Sequence, residues 1–139
     1  MVFILNNLAI GNYNDALNPS PDIQAMLCVA REKDIIDPGG ILYHKVPIID
    51  MQPIPVTQLK ESVQWIKEHI SEHRILVFCN AGVGRSTSIV VSYFCCVLGY
   101  SFGHAVEYVA TRKPYMSTLP NLKKDIEELR KQMASHGRS

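Results

Sequence analysis

The feature that most constrains this chain is an abrupt change of residue type between positions 75 and 98. Ile75-Leu76-Val77-Phe78 is a short apolar run, and it leads straight into Cys79-Asn80-Ala81-Gly82-Val83-Gly84-Arg85-Ser86-Thr87. The long apolar stretch Ile89 to Leu98 follows, interrupted by Ser92. Four apolar residues ahead of glycines read as a buried strand, and the later stretch reads as a buried helix. That helix is about half the roughly 20 residues needed to cross a bilayer, so it is a core element and no membrane span is expected. The unit is therefore strand, small loop, helix.

A loop in that position turns free backbone N–H groups toward one point, and the helix dipole adds about half a positive charge there. Gly82 and Gly84 let the backbone curl without Cβ clashes, so Asn80, Ala81, Gly82, Val83 and Gly84 form a nest of amides suited to phosphate oxygens. Arg85 adds a planar fork that matches two of those oxygens. Cys79 faces the same field, which favours its thiolate and makes it a nucleophile. Sulfur beside a phosphate cradle points to attack on phosphorus in a bound ester, giving a phosphocysteine that water later cleaves. Ser86, beside Arg85, is placed to hydrogen-bond the sulfur and help it leave in the second step. Its plainer alternative is a polar residue at a helix start.

The first step needs a proton donor and the second a base. Asp50 is the candidate for both, since Asp50-Met51-Gln52-Pro53-Ile54-Pro55 is a proline-stiffened loop directly after a strand. Its alternative is a turn acid bonded to its own backbone. Asp34 and Asp37 are weaker rivals, because they precede Pro38-Gly39-Gly40 and look solvated.

The rest of the chain supplies a frame for this unit. Val2 to Leu5 and Leu8 to Ile10 read as two strands joined at Asn6-Asn7, with Asn7 able to take a positive φ. Ala25 to Ala30 reads as a fully buried strand and Ile41 to Ile49 as another, with Pro47 near its end. Apolar spacings of four, three and four at Leu59, Val63, Ile66 and Ile70 predict an amphipathic helix over 57–73. Ser101 caps a shorter helix to about Arg112, and Leu122, Ile126, Leu129 and Met133 mark a last one. This order predicts an α/β fold, a mostly parallel sheet covered by helices on both faces.

The chain has 139 residues with 14 Lys and Arg against 13 Asp and Glu, a formal charge of +1, and it is 47% hydrophobic. That excludes intrinsic disorder and predicts one domain over residues 1–134, with 135–139 as a flexible tail. A balanced charge lacks the basic field that draws nucleic acid. Cys28, Cys79, Cys95 and Cys96 make a poor disulfide framework, and Met1 to Ile10 has no cationic lead-in of a signal peptide, so a cytoplasmic or nuclear setting is expected. Cys28, Cys95 and Cys96 fit packing roles, with a disulfide to Cys79 as the minor alternative. The histidines show no metal spacing, and neither metal nor cofactor is expected.

Cys79 to Ser86 resembles the C-x5-R-S signature of the cysteine-dependent protein phosphatases, and the small, atypical dual-specificity branch fits best. Leu8-Ala9-Ile10-Gly11 resembles that branch's opening strand, Ala25 to Ala30 its first buried parallel strand, and Val46 to Asp50 its general-acid strand and loop. Arg112-Lys113-Pro114 with Pro120-Asn121 resembles its late Arg-Pro and Pro-Asn segment, a lysine intervening. The resemblance implies a sheet of four or five strands flanked by helices, metal-free catalysis, and phosphoproteins as substrates, at tyrosine and at serine or threonine. A monomer or weak dimer is expected. Two positions depart from the pattern: Phe78 stands where members have His, and Gly84 where many have a hydroxyl residue. Phe78 motivates a second reading, a phosphate-binding module with weak turnover. A third is a phosphatase of RNA 5′ ends or phosphoinositides, which neutral residues at Asn80, Ala81 and Val83 disfavour.

Overall fold

The computed structural model describes residues 1–137. Its elements in chain order are β1 (Val2–Leu5), β2 (Leu8–Gly11), α1 (Tyr13–Leu17), β3 (Ala25–Cys28), β4 (Leu42–Lys45), α2 (Val56–His69), β5 (Ile75–Phe78), α3 (Arg85–Cys96), α4 (Phe102–Arg112) and α5 (Leu122–Gly137). The strands form one sheet in the order β1-β2-β5-β3-β4. β1 runs antiparallel to β2, while β2 with β5, β5 with β3 and β3 with β4 are parallel. The expected mostly parallel sheet is therefore present, with five strands.

Every residue of β2, β3 and β5 is buried, as continuous apolar runs should be when helices cover both faces of a sheet. On one face lies α1, whose Tyr13, Ala16 and Leu17 share a cavity wall with Met26 of β3. On the other, α2, α3, α4 and α5 pack against one another. α3 is the central helix: Arg85 through Cys95 are all buried, which matches a helix apolar on every side rather than along one stripe.

Parallel register fixes where chemistry can gather. Gly11 and Cys28 each pair with Phe78 at the C-terminal ends of β2, β3 and β5, and Cys28 also pairs with Lys45 of β4. The segments that leave these four ends therefore meet along one sheet edge, the usual ligand edge of such sheets.

Several expectations need correction. Asn7 does not take a positive φ; among non-glycine residues described, Met51 (φ 61) and Asn121 (φ 65) do. Asn7 instead ties the turn down, its Nδ2 donating to Ile70 O at 3.0 Å. β4 stops at Lys45 rather than Ile49, because Pro47 has no N–H for a ladder and Ile48 O turns to accept from Arg31 N at 3.0 Å. α2 ends at His69, and His73 follows in a turn that still bonds to His69 O. α5 runs through Gly137 and so reaches into the segment expected as a tail, whose last two positions lie outside the described residues.

Candidate active site

Each strand end delivers one part of the site. β5 delivers Cys79, two percent exposed, at the start of the loop into α3. Gly82 takes φ +73, and a Cβ there would lie 2.8 Å from Gly11 O, so the loop packs against the end of β2 as only glycine allows. Gly84 sits at the N-cap with no side-chain cap, leaving the first turn of α3 open at its donor end. Among the described residues, no N–H from Asn80 to Gly84 donates to another backbone carbonyl. The loop is held instead through its own carbonyls, Tyr13 N donating to Asn80 O at 3.2 Å and Ser117 N to Val83 O at 3.0 Å. Its amides are thus left free while its shape is fixed.

Cys79 Sγ lies 3.2 Å from Ser86 Oγ, within reach of a hydrogen bond between them. Both residues are buried, with a cavity of about 380 Å³ opening over the sulfur. Asp50, Met51, Ala81, Val83, Gly84, Arg85 and the segment Ser117 to Pro120 form the rest of its wall.

Arg85 shows how the cradle is aimed. Its Nη1 and Nη2 donate to the two carboxylate oxygens of Glu32, each at 2.6 Å, and Nη1 also donates to Ile48 O at 3.1 Å. Those bonds occupy the end of the guanidinium. The side edge carrying Nε has no hydrogen-bond acceptor, although the side chain is only three percent exposed. An unmade hydrogen bond on a buried cation is costly, and here it borders the cavity that contains the sulfur. The nearest anion is Asp50, whose Oδ1 stands 3.7 Å from Nε, beyond hydrogen-bond range.

Glu32 is the residue that sequence reasoning missed. It leaves β3 within Arg31 to Asp37, which reads as a solvated turn, and it is paired to a residue 53 positions away. Hydrogen bonds from Arg85 hold its carboxyl down to about 2, against burial that works the other way. The same pairing raises Arg85 further above its ordinary value. Its only local mark is that it stands between Arg31 and Lys33, which does not single it out.

Asp50 lies where its loop was expected to bring it, about half exposed, with Oδ1 accepting from Met51 N at 2.9 Å. That bond is the turn-acid geometry considered as an alternative, and the same Oδ1 faces the Arg85 Nε edge, so the turn and the cavity share one carboxylate. The two rival acids are used locally: Asp34 accepts from Tyr43 Oη at 2.5 Å and Asp37 from Gly39 N at 3.1 Å. Cys79, Arg85, Ser86, Asp50 and the loop residues Asn80 to Gly84 are therefore in one place. The other cysteines are not: Cys28 shares its register level with Phe78, and Cys95 and Cys96 lie at the far end of α3, roughly 15 Å along the helix axis from Arg85 at about 1.5 Å per residue. All four cysteines are free. Phe78 is fully buried within the sheet, so it braces the strand end by packing alone. Among the described residues no group of three or more metal-ligating side chains comes together, and no helix is long and apolar enough to cross a membrane.

Comparison with known proteins agrees with this geometry. Residues 8–132 match the family model for the dual specificity phosphatase catalytic domain. The chain is 26% identical over 134 residues to dual specificity protein phosphatase 15 of Mus musculus, covering 92% of this chain and 57% of that protein. It thus spans little more than half the length of that relative. The crystal structure of human DUSP28 superposes with a TM-score of 0.85 at 16% identity, covering 98% of this chain and 99% of that one. That of the human tyrosine phosphatase-like serine/threonine/tyrosine-interacting protein gives 0.84 at 20% identity, covering 96% and 97%.

Proposed function

The chain belongs to the dual specificity phosphatase catalytic domain family, and from that premise we propose that it hydrolyses phosphate monoesters of tyrosine and of serine or threonine in proteins, through a phosphocysteine. The observation that carries this reading is that a buried Arg85, its Nε without an acceptor, lines the same cavity as Cys79.

In the first step a phosphate takes the free loop amides and the Nε edge of Arg85, and Cys79 Sγ attacks phosphorus in line with the ester oxygen. The P–O bond breaks, and the departing oxygen takes a proton from Asp50. In the second step water attacks phosphorus, Asp50 takes back a proton, and the P–S bond breaks with its electron pair returning to sulfur. Ser86, 3.2 Å from that sulfur, donates a hydrogen bond to the thiolate as it forms. Glu32 keeps the guanidinium turned so that its Nε edge faces phosphate, and the amide cradle stabilises the charge of both transition states.

The cavity wall favours a single phosphate. Arg85 is the one cation among its lining residues, and Met51, Ala81, Val83, Leu119 and Pro120 are apolar. A second phosphate of an inositol lipid or an RNA 5′ polyphosphate would find no second cation there. An intact pair of Cys79 and Ser86 favours turnover over passive binding. We propose further that it works in a reducing compartment, cytoplasmic or nuclear, as a monomer or weak dimer, since a nucleophilic thiolate must stay reduced to act. Hydrolysis of p-nitrophenyl phosphate by purified protein, inhibited by vanadate and absent from Cys79→Ser, is the expected result. Equal activity in the variant would remove the proposal.

A further inference from the structure

The second half of the proposed reaction needs a water held opposite the sulfur, and one base cannot orient it alone. A carboxylate accepts one of its protons, and the water still rotates about that bond unless a second group takes the other. The residues lining the cavity narrow the choice. Apart from Cys79, Arg85 and Asp50, only Ser117 and Thr118 bring polar side-chain atoms to it.

Ser117 is the better placed by construction. Its backbone N–H donates to Val83 O at 3.0 Å, which fixes it directly to the cradle loop. Two residues on, Leu119 N donates to the buried Ser88 Oγ of α3 at 2.9 Å, so the segment is pinned to the same helix that begins with Arg85. The space above Gly84 shows where the side chain goes. A Cβ at Gly84 would lie 3.6 Å from Ser117 Oγ and 3.7 Å from Asp50 Oδ1. The hydroxyl and the carboxylate therefore both lie within 3.7 Å of one point beside a Leu119 methyl at 3.5 Å, and Ser117, Asp50, Gly84 and Leu119 all line the cavity. Gly84 has no side chain to fill that space.

We propose that Ser117 is a catalytic residue of the hydrolytic step, holding with Asp50 the water that cleaves the phosphocysteine. One water proton goes to the Asp50 carboxylate, and the other is hydrogen-bonded to Ser117 Oγ. The water oxygen bonds to phosphorus as the P–S bond breaks, and inorganic phosphate leaves with Cys79 restored as thiolate. This rests on the phosphocysteine route proposed above and makes no demand on the first step, in which Asp50 acts on the ester oxygen.

The test is rapid-quench kinetics with a radiolabelled phosphotyrosyl peptide, comparing wild type, Ser117→Ala and Ser117→Thr. Ser117→Ala is expected to form phosphoenzyme at the wild-type rate and to lose it about tenfold more slowly, the worth of one hydrogen bond to the reacting water. Its kcat/KM is expected to stay unchanged while the label accumulates on protein, and Ser117→Thr restores the decay. A loss of formation and decay together would show a merely structural role and overturn the proposal, as would unchanged decay in Ser117→Ala. Wild type that never acquires label would end the phosphocysteine reading itself, and this inference with it.

Discussion

The two ends of the same parallel strands differ sharply in how their polar groups are used. At the N-terminal ends everything closes on itself. Ile75 N donates to Asn7 O, Gln24 N and Ala25 N to Arg74 O, Leu42 N to Gln24 O, and Arg74 N to the Gln24 side chain at 2.9 Å. A wide polar cleft of about 590 Å³ lies there, lined by Asn6, Asn7, Gln24, Ser71, Glu72, His73 and Arg74 among others, and none of the buried unpartnered atoms belongs to it. At the C-terminal ends the cavity over Cys79 is smaller, about 380 Å³, yet it borders Arg85 Nε, a buried donor without an acceptor. Thr87 Oγ1 and Asp125 Oδ2 are the other such atoms among the described residues, and neither residue lines that cavity. Size does not mark the working end of this sheet; an unfinished set of hydrogen bonds does.

That contrast can be broken by substitution, and the effects should fall in order. Cys79→Ser is expected to abolish turnover of p-nitrophenyl phosphate while the far-ultraviolet circular dichroism stays as in wild type. Asp50→Asn should lower kcat by about 10²- to 10⁴-fold, the range for loss of one general acid, with phosphate-ester binding retained in calorimetry. A fall no larger than that of Asp37→Asn would move the acid role elsewhere. Glu32→Gln should release the end of the Arg85 guanidinium, and we expect turnover to drop at least about tenfold through misdirection of the Nε edge. Because Glu32 is half exposed, its stability cost should stay below the 3–5 kcal/mol of a fully buried pair, about 1–2 kcal/mol in urea unfolding.

Glu32 also sets a pH signature. Its folded value is lowered from 4.5 to about 2, so the stability it contributes is fully present above pH 4.5 and is lost as pH falls toward 2. Wild type should therefore lose more stability than Glu32→Gln across that window, and parallel curves would show that the pair contributes nothing. The smallest effect belongs to the closed end of the sheet. Asn7→Ala removes one side-chain hydrogen bond and should cost about 1 kcal/mol in unfolding with kcat unchanged.

How much of this was legible in the sequence follows from how local each feature is. The β5 strand, its glycine loop and α3 are contiguous, and the residue types alone specify them. Asp50 was legible because two prolines exclude a helix around it. Ser101 was legible as a cap, and its Oγ accepts from His104 N at 3.2 Å. α1 escaped because five residues are too few for a periodic pattern, although Asn12 and Asp15 form a reciprocal capping box that was available to be read. Glu32 and Ser117 escaped for a different reason. Their roles come from packing against residues 53 and 34 positions away, and neither has a spacing or a neighbour that announces it.

The central claim is that the Cys79 sulfur becomes bonded to phosphorus during turnover. Acid quench during hydrolysis of a phosphotyrosyl peptide, followed by mass spectrometry of the fragment containing Cys79, tests it directly. One added phosphoryl group on Cys79 in wild type, none in Cys79→Ser, is the predicted result. Continued product release by an enzyme whose Cys79 fragment never carries phosphate would contradict it.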